Sequence, residues 1–190
     1  MKYKAVVIGS SAGGLDALKV LLTTLPATFR LPILIVQHQS PHSNNFLSRY
    51  LDEIAMVKVK EADEKEKINP GIVYLAPPNY HMLVEDDETI SLSVEEKVNY
   101  ARPSIDVLFE SAAYVFKSSL IGIVLTGANN DGSLGLKTVK DFGGLTIVQD
   151  PATAYVDTMP RSAINSTSVD HILPLEQIGN LLVKLSAVRG

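Results

Sequence analysis

The chain has 190 residues, 46% of them apolar, with a formal net charge of −4, which suits one core in a single domain of about 100–200 residues. Its basic residues are dispersed, so nothing supplies the cationic footprint that a nucleic-acid backbone demands. With no cysteine, disulfides, thiolate metal sites and a thiol nucleophile are excluded together.

In chain order, MKYKAVVIGSSAGG carries an apolar run too short for a signal h-region or a membrane span. Residues 1–190 are therefore expected to form one cytoplasmic domain without membrane insertion. Residues 4–8 read as a strand buried on both faces, because the run lacks polar alternation. A helical period follows at Leu15, Leu18, Leu21 and Leu22, then a second buried strand at 32–37 and a helix marked by Phe46, Leu47, Tyr50 and Leu51. The mixed charges of 61–67 (EADEKEK) read as a solvated spacer, and Asn69-Pro70-Gly71 as a turn. Three short runs, 72–75, 80–84 and 89–92, are separated by APPN and EDDE and read as antiparallel hairpins on the edge of the main sheet. A helix with Ile105, Leu108, Phe109 and Ala112 precedes strands at 120–125 and 146–149, and 169–174 reads as a short strand entering a last helix. Strands alternating with helices imply right-handed βαβ units.

The glycine turn after the first strand carries the chemistry. A dinucleotide fingerprint needs glycine where Ser11 stands, and a P-loop needs Gly-Lys-Ser/Thr where Leu15-Asp16 follow. Gly9-Ser10-Ser11-Ala12-Gly13 instead matches G-x-S-x-G, whose small neighbours let a sharp strand-to-helix turn raise the central hydroxyl at the carboxyl edge of a sheet. Ser11 is the candidate nucleophile, although a plain turn with an N-cap serine also fits these five residues.

A serine needs an imidazole base, and the imidazole an orienting carboxylate. Of the four histidines, His38 directly follows a strand and so shares the edge of Ser11. His42 and His81 read as surface or packing residues. His171 would reproduce the order Ser, Asp, His of α/β-hydrolases, but stands on a strand body; position favours His38. Asp131, in the loop after 120–125, reaches the same edge, where open α/β sheets build sites. Asp106, inside a helix, and Asp157, with no strand before it, compete less well. The amides of Ala12 to Gly14 suit an oxyanion, and Met159-Pro160-Arg161 offers an arginine for a substrate carboxylate, with Pro160 as a first helical residue. No residue spacing argues for a metal or cofactor.

Six segments, IGSSAGGLDAL, VQHQSP, ARPSIDVLFESAA, VLTGANNDGSLGL, GGLTIVQDP and MPRSAI, occur in an order that resembles the catalytic domain of the chemotaxis protein-glutamate methylesterases, the CheB family, from about residue 5 to about residue 185. The resemblance implies an α/β fold with a doubly wound, mostly parallel sheet in three layers, Rossmann-like, to which the hairpins add an antiparallel extension at one edge. It implies hydrolysis of glutamyl methyl esters on chemoreceptor signalling helices, releasing methanol, with deamidation of receptor glutamines as a second activity. It carries the family's catalytic serine, histidine and aspartate onto Ser11, His38 and Asp131. The implied partners are the cytoplasmic domain of a methylated chemoreceptor and a separate response regulator or methyltransferase.

Two departures qualify the resemblance. No receiver domain precedes the first strand, so control by phosphorylation within this chain is not expected. Where the family commonly has a methionine before the aspartate, proposed to lend its backbone amide to the oxyanion hole, this chain has Ala128. VQHQSPHSNNFLSRYL looks closer to esterase-like domains found alone or fused to methyltransferases. Three other readings stay open: a serine hydrolase for another ester or amide, a signalling adaptor without turnover, and a nucleotide-binding domain.

Overall fold

The protein is described as a computed structural model covering residues 2–40 and 42–187; Met1, Pro41 at the end of VQHQSP, and residues 188–190 lie outside it. Beta-branched and leucine-rich runs form the buried strands β1 (Ala5–Ser10), β2 (Ile33–Gln37), β7 (Leu120–Val124) and β8 (Leu145–Gln149). With β3 (Lys58–Glu61), β4 (Ile72–Leu75) and β9 (His171–Leu173) they make one seven-stranded sheet in the order β3-β4-β2-β1-β7-β8-β9. Every neighbouring pair is parallel, so the expected α/β architecture holds.

Helices cover both faces. On one face, α1 (Gly14–Thr23), α2 (Phe46–Ile54) and α6 (Leu175–Ala187) bury Leu18, Leu22, Leu51, Ile178 and Leu182 against Val6, Ile8 and Ile35. On the other, α3 (Ile105–Phe116), α4 (Ser133–Asp141) and α5 (Thr158–Ser166) bury Phe109, Leu136 and Met159 against Val7, Val36 and Val124. Alternate residues of β1 thus feed alternate cores, as period two requires of a strand buried on both sides.

Two expectations about the middle of the chain are corrected. The run 72–75 is β4, a parallel strand inside the sheet, and Lys58–Glu61, which shares only Glu61 with the charged run 61–67, pairs with it as the edge strand β3. Of the three runs only 80–84 and 89–92 pair as a hairpin, β5 (His81–Val84) with β6 (Ile90–Ser93), and it is a separate two-stranded sheet. The hairpin lies on α3, where the Ser111 hydroxyl accepts the Val84 amide at 3.1 Å, and Met82, Val84 and Ile90 join that core.

The sheet grows outward from β1 in two directions, through β2 on one side and β7 on the other. The loops leaving the carboxyl ends of these strands diverge and leave a crevice at this switch point.

Candidate active site

Ser11 begins the turn that leaves β1. Its amide donates to Thr126 O at 3.0 Å, which ties the turn to the end of β7. Gly13 takes a left-handed φ of 78° before α1 starts, and a side chain there would lie 2.5 Å from Tyr155 Cβ. Gly14 is required by close approach: a Cβ would overlap Gln37 Oε1. Gln37, the last residue of β2, uses this space as a staple. Its Oε1 accepts the Ser10 hydroxyl at 2.6 Å, while Nε2 donates to Ser11 O at 3.0 Å and His38 O at 2.9 Å. One buried side chain thereby fixes the backbone of both Ser11 and His38.

His38 lies just beyond β2, with its amide bonded to Ser10 O at 3.0 Å. Its Nε2 is 2.8 Å from Asp131 Oδ2, and its Nδ1 lies 3.3 Å from Asn129 Nδ2. Because the carboxylate only accepts and the amide nitrogen only donates, this pairing describes a neutral ring with its proton on Nε2 and a lone pair on Nδ1.

Asp131 is fully buried. Besides His38 it accepts the Ile105 amide on Oδ2 at 2.7 Å, and on Oδ1 the Ser104 hydroxyl at 2.8 Å and the Asp106 amide at 3.1 Å. It therefore sits on the amino terminus of α3, where free amides and the helix dipole favour an anion. Burial pushes its carboxyl up, but the hydrogen bonds from His38 and from the amides of Ile105 and Asp106 outweigh it and hold Asp131 below the ordinary aspartate value.

Asp106 returns the favour. Its Oδ1 accepts the amides of Gly132 at 2.9 Å and Gly135 at 2.7 Å, at the amino terminus of α4, and its Oδ2 accepts Asn99 Nδ2 at 2.8 Å. Each of two neighbouring helices is capped by a carboxylate associated with the other. Burial, with a contribution from the Asp131 charge, pushes Asp106 up to about 6 although the Gly135 and Gly132 amides oppose the shift.

The sequence-based candidates thus divide. Ser11, His38 and Asp131 all come to the carboxyl edge of β1, β2 and β7, and His38 and Asp131 are in direct contact. No hydrogen bond joins Ser11 Oγ to His38 among the described residues. The amides of Ala12 and Ala128 donate to no other protein group among the described residues. His42 is exposed. His81 is buried, with Nδ1 accepting the Ser104 amide at 3.1 Å and Nε2 on Glu96 O at 2.9 Å. His171 opens β9, at the end of the strand away from the site. Arg161 is engaged by Asp157 at 2.6 Å, and Pro160 is the third residue of α5 rather than the first. Gln37, Asn99, Ser104 and Asn129 are not among the site candidates read from the sequence, and Asp106 is weighed there only as a competing acid; a polar residue closing an apolar strand, as in ILIVQ, is the one local signal that marks Gln37. Among the described residues no group of three or more His, Asp or Glu side chains assembles to hold a metal.

A family model described as CheB methylesterase matches residues 6–182. A Leptospira interrogans protein (strain Fiocruz L1-130) named putative protein-glutamate methylesterase/protein-glutamine glutaminase is 55% identical over 97% of this chain and 96% of its own length. A Thermotoga maritima protein-glutamate methylesterase/protein-glutamine glutaminase is 37% identical over 96% of this chain, which spans 54% of that relative. The crystal structure of the Thermotoga maritima CheB methylesterase catalytic domain superposes with a TM-score of 0.92 at 37% identity, covering 96% of this chain and 98% of that one. The chain belongs to the CheB methylesterase family.

Proposed function

We propose that the protein is a protein-glutamate methylesterase that hydrolyses glutamyl methyl esters on the cytoplasmic signalling helices of chemoreceptors, and deamidates receptor glutamine at the same site. The observation that carries this reading is the buried Asp131 carboxylate 2.8 Å from His38 Nε2, at the edge from which Ser11 projects. Asp131 holds the ring proton on Nε2, so Nδ1 is the base nitrogen. Nδ1 takes the Ser11 proton as Oγ attacks the ester carbonyl carbon. The tetrahedral oxyanion is held by backbone amides near Ala12 and Ala128. Collapse expels methoxide, which leaves as methanol with the proton from Nδ1. Water, deprotonated by Nδ1, then attacks the acyl-enzyme, and the proton returns to Ser11 as glutamate is released. With glutamine the leaving group is ammonia.

The whole of 1–190 acts as one domain in this reading, and the cytoplasm is the compartment in which its substrate lies. Among the described residues no helix is long and apolar enough to cross a membrane. Methanol release from a methylated receptor signalling domain, compared between wild type and Ser11→Ala, tests the proposal. Release by wild type with a loss of at least about 10³-fold in the variant is expected. Equal rates would overturn the mechanism. No turnover by either protein, with receptor binding retained by both, would favour an adaptor instead.

A further inference from the structure

We propose that the turn at residues 98–101 is the substrate-reading element of the site and that Tyr100 is a specificity-determining residue packing against the protein segment that carries the esterified glutamate. This rests on the reading of the site as a methylesterase. The turn borders a cleft of about 220 Å³ that includes His38 and Asn129 on its catalytic side and Asn99, Tyr100 and Arg102 on the other.

The local conformation is unusual for its sequence. Val98 and Ala101 exchange both backbone hydrogen bonds, at 3.1 and 2.9 Å, and the two residues between them have positive φ, 50° at Asn99 and 63° at Tyr100. This is the two-residue hairpin turn that Asn-Gly ordinarily fills. Asparagine tolerates the left-handed region and glycine takes it freely, but a tyrosine is strained there. Packing within the chain does not offset the strain, because Tyr100 is 98% exposed.

The turn is nevertheless firmly mounted. Arg102 donates to Val94 O at 2.6 Å, Glu95 O at 2.8 Å and Asn79 Oδ1. The buried His81 holds Glu96 O, and Asn99 reaches Asp106, beside the catalytic acid. A rigid base thus presents a strained, uncovered aromatic ring at the mouth of the cleft. Strain that persists at such a position belongs with function, and a tyrosine on a fixed backbone gives large contact area at low entropic cost. On the nucleophile side Tyr155, also largely exposed, covers Gly13, so an incoming segment meets an aromatic side chain next to both reacting groups. The occupant is a methylated protein segment.

Tyr100→Gly separates this role from a structural one. Glycine relieves the left-handed strain, so the melting temperature is expected to hold or rise. The ratio of kcat/KM on a methylated receptor signalling domain to kcat/KM on p-nitrophenyl acetate is expected to fall about tenfold, through KM on the protein substrate. Tyr100→Phe is expected to restore most of that ratio. An unchanged ratio in Tyr100→Gly, with wild type active on both substrates, would overturn the proposal. Wild type active on the small ester but releasing no methanol from the receptor domain would instead overturn the methylesterase reading, and the turn's role with it.

Discussion

The two nitrogens of His38 have different partners, and the difference decides how the ring can work. Nε2 faces an anion that burial alone would neutralise, yet Asp131 is held below its ordinary value by His38 and the α3 amides, so it stays ionised wherever the enzyme is folded and active. Among the described residues Nδ1 meets only the Asn129 amide, at 3.3 Å, a bond that a serine hydroxyl can replace. Asp131→Asn keeps the side-chain shape but removes the charge that stabilises the imidazolium and lets the ring adopt the wrong tautomer. A loss of about 10²–10⁴-fold in kcat is expected, measured as methanol release with KM little changed. Retention of more than a tenth of wild-type kcat would show that Asp131 is not the orienting acid.

At the scale of elements, the site depends on where strands end. Ser11, His38 and Asp131 were legible because each closely follows an apolar run, and the carboxyl ends of parallel strands share an edge. The parts that Gln37 and Asp106 play were not, because the contacts of Gln37 with Ser11 and of Asp106 with Gly132 and Gly135 span 26 or more residues in sequence and no local pattern records such contacts. The misplaced run 72–75 has the same cause: four apolar residues between turns suit a parallel or an antiparallel strand equally, and the pairing with 33–35 is a long-range fact. Likewise β3 hides in a charged stretch, since at an edge only Val59 of its four residues is buried and lysines on a sheet edge are ordinary. The Gln37 staple gives this scale its own test. In Gly14→Ala the new methyl takes the place of Gln37 Oε1, so the amide must leave Ser11 O and His38 O or α1 must shift. Overpacking is expected to cost about 1–3 kcal/mol in urea unfolding, and kcat is expected to fall further than that destabilisation explains when assayed well below the unfolding midpoint. Wild-type kcat in a destabilised Gly14→Ala protein would show that the staple serves stability alone.

Across the whole molecule, the site lies on the seam between two halves of the chain. Ser11 and His38 come from the half that builds β1 to β4, Asp131 from the half that begins with β7, and α3 joins them. The exchange in which Asp131 meets the α3 amides and Asp106 the α4 amides closes that seam, so stability and site geometry depend on the same two carboxylates. They titrate in opposite directions. Asp131, held low, contributes stability above the ordinary aspartate pKa that is lost as pH falls through its lower folded value. Asp106, raised from 3.8 to about 6 chiefly by burial, binds its proton more tightly folded than unfolded. Its contribution is fully present below pH 3.8 and is lost as pH rises through about 6. The groups facing it are Asp131, one turn along Glu110, and the uncharged donors of Asn99, Gly132 and Gly135, none of which is a cation that would reverse the sign. Asp106→Asn keeps an oxygen for the α4 amides and cannot ionise. Urea unfolding of wild type and variant at pH 4, 5, 6 and 7 should therefore show wild type losing about 2–3 kcal/mol relative to Asp106→Asn across that range. Parallel profiles would mean that folding does not raise Asp106, and that it is ionised in the folded protein from pH 5 upward.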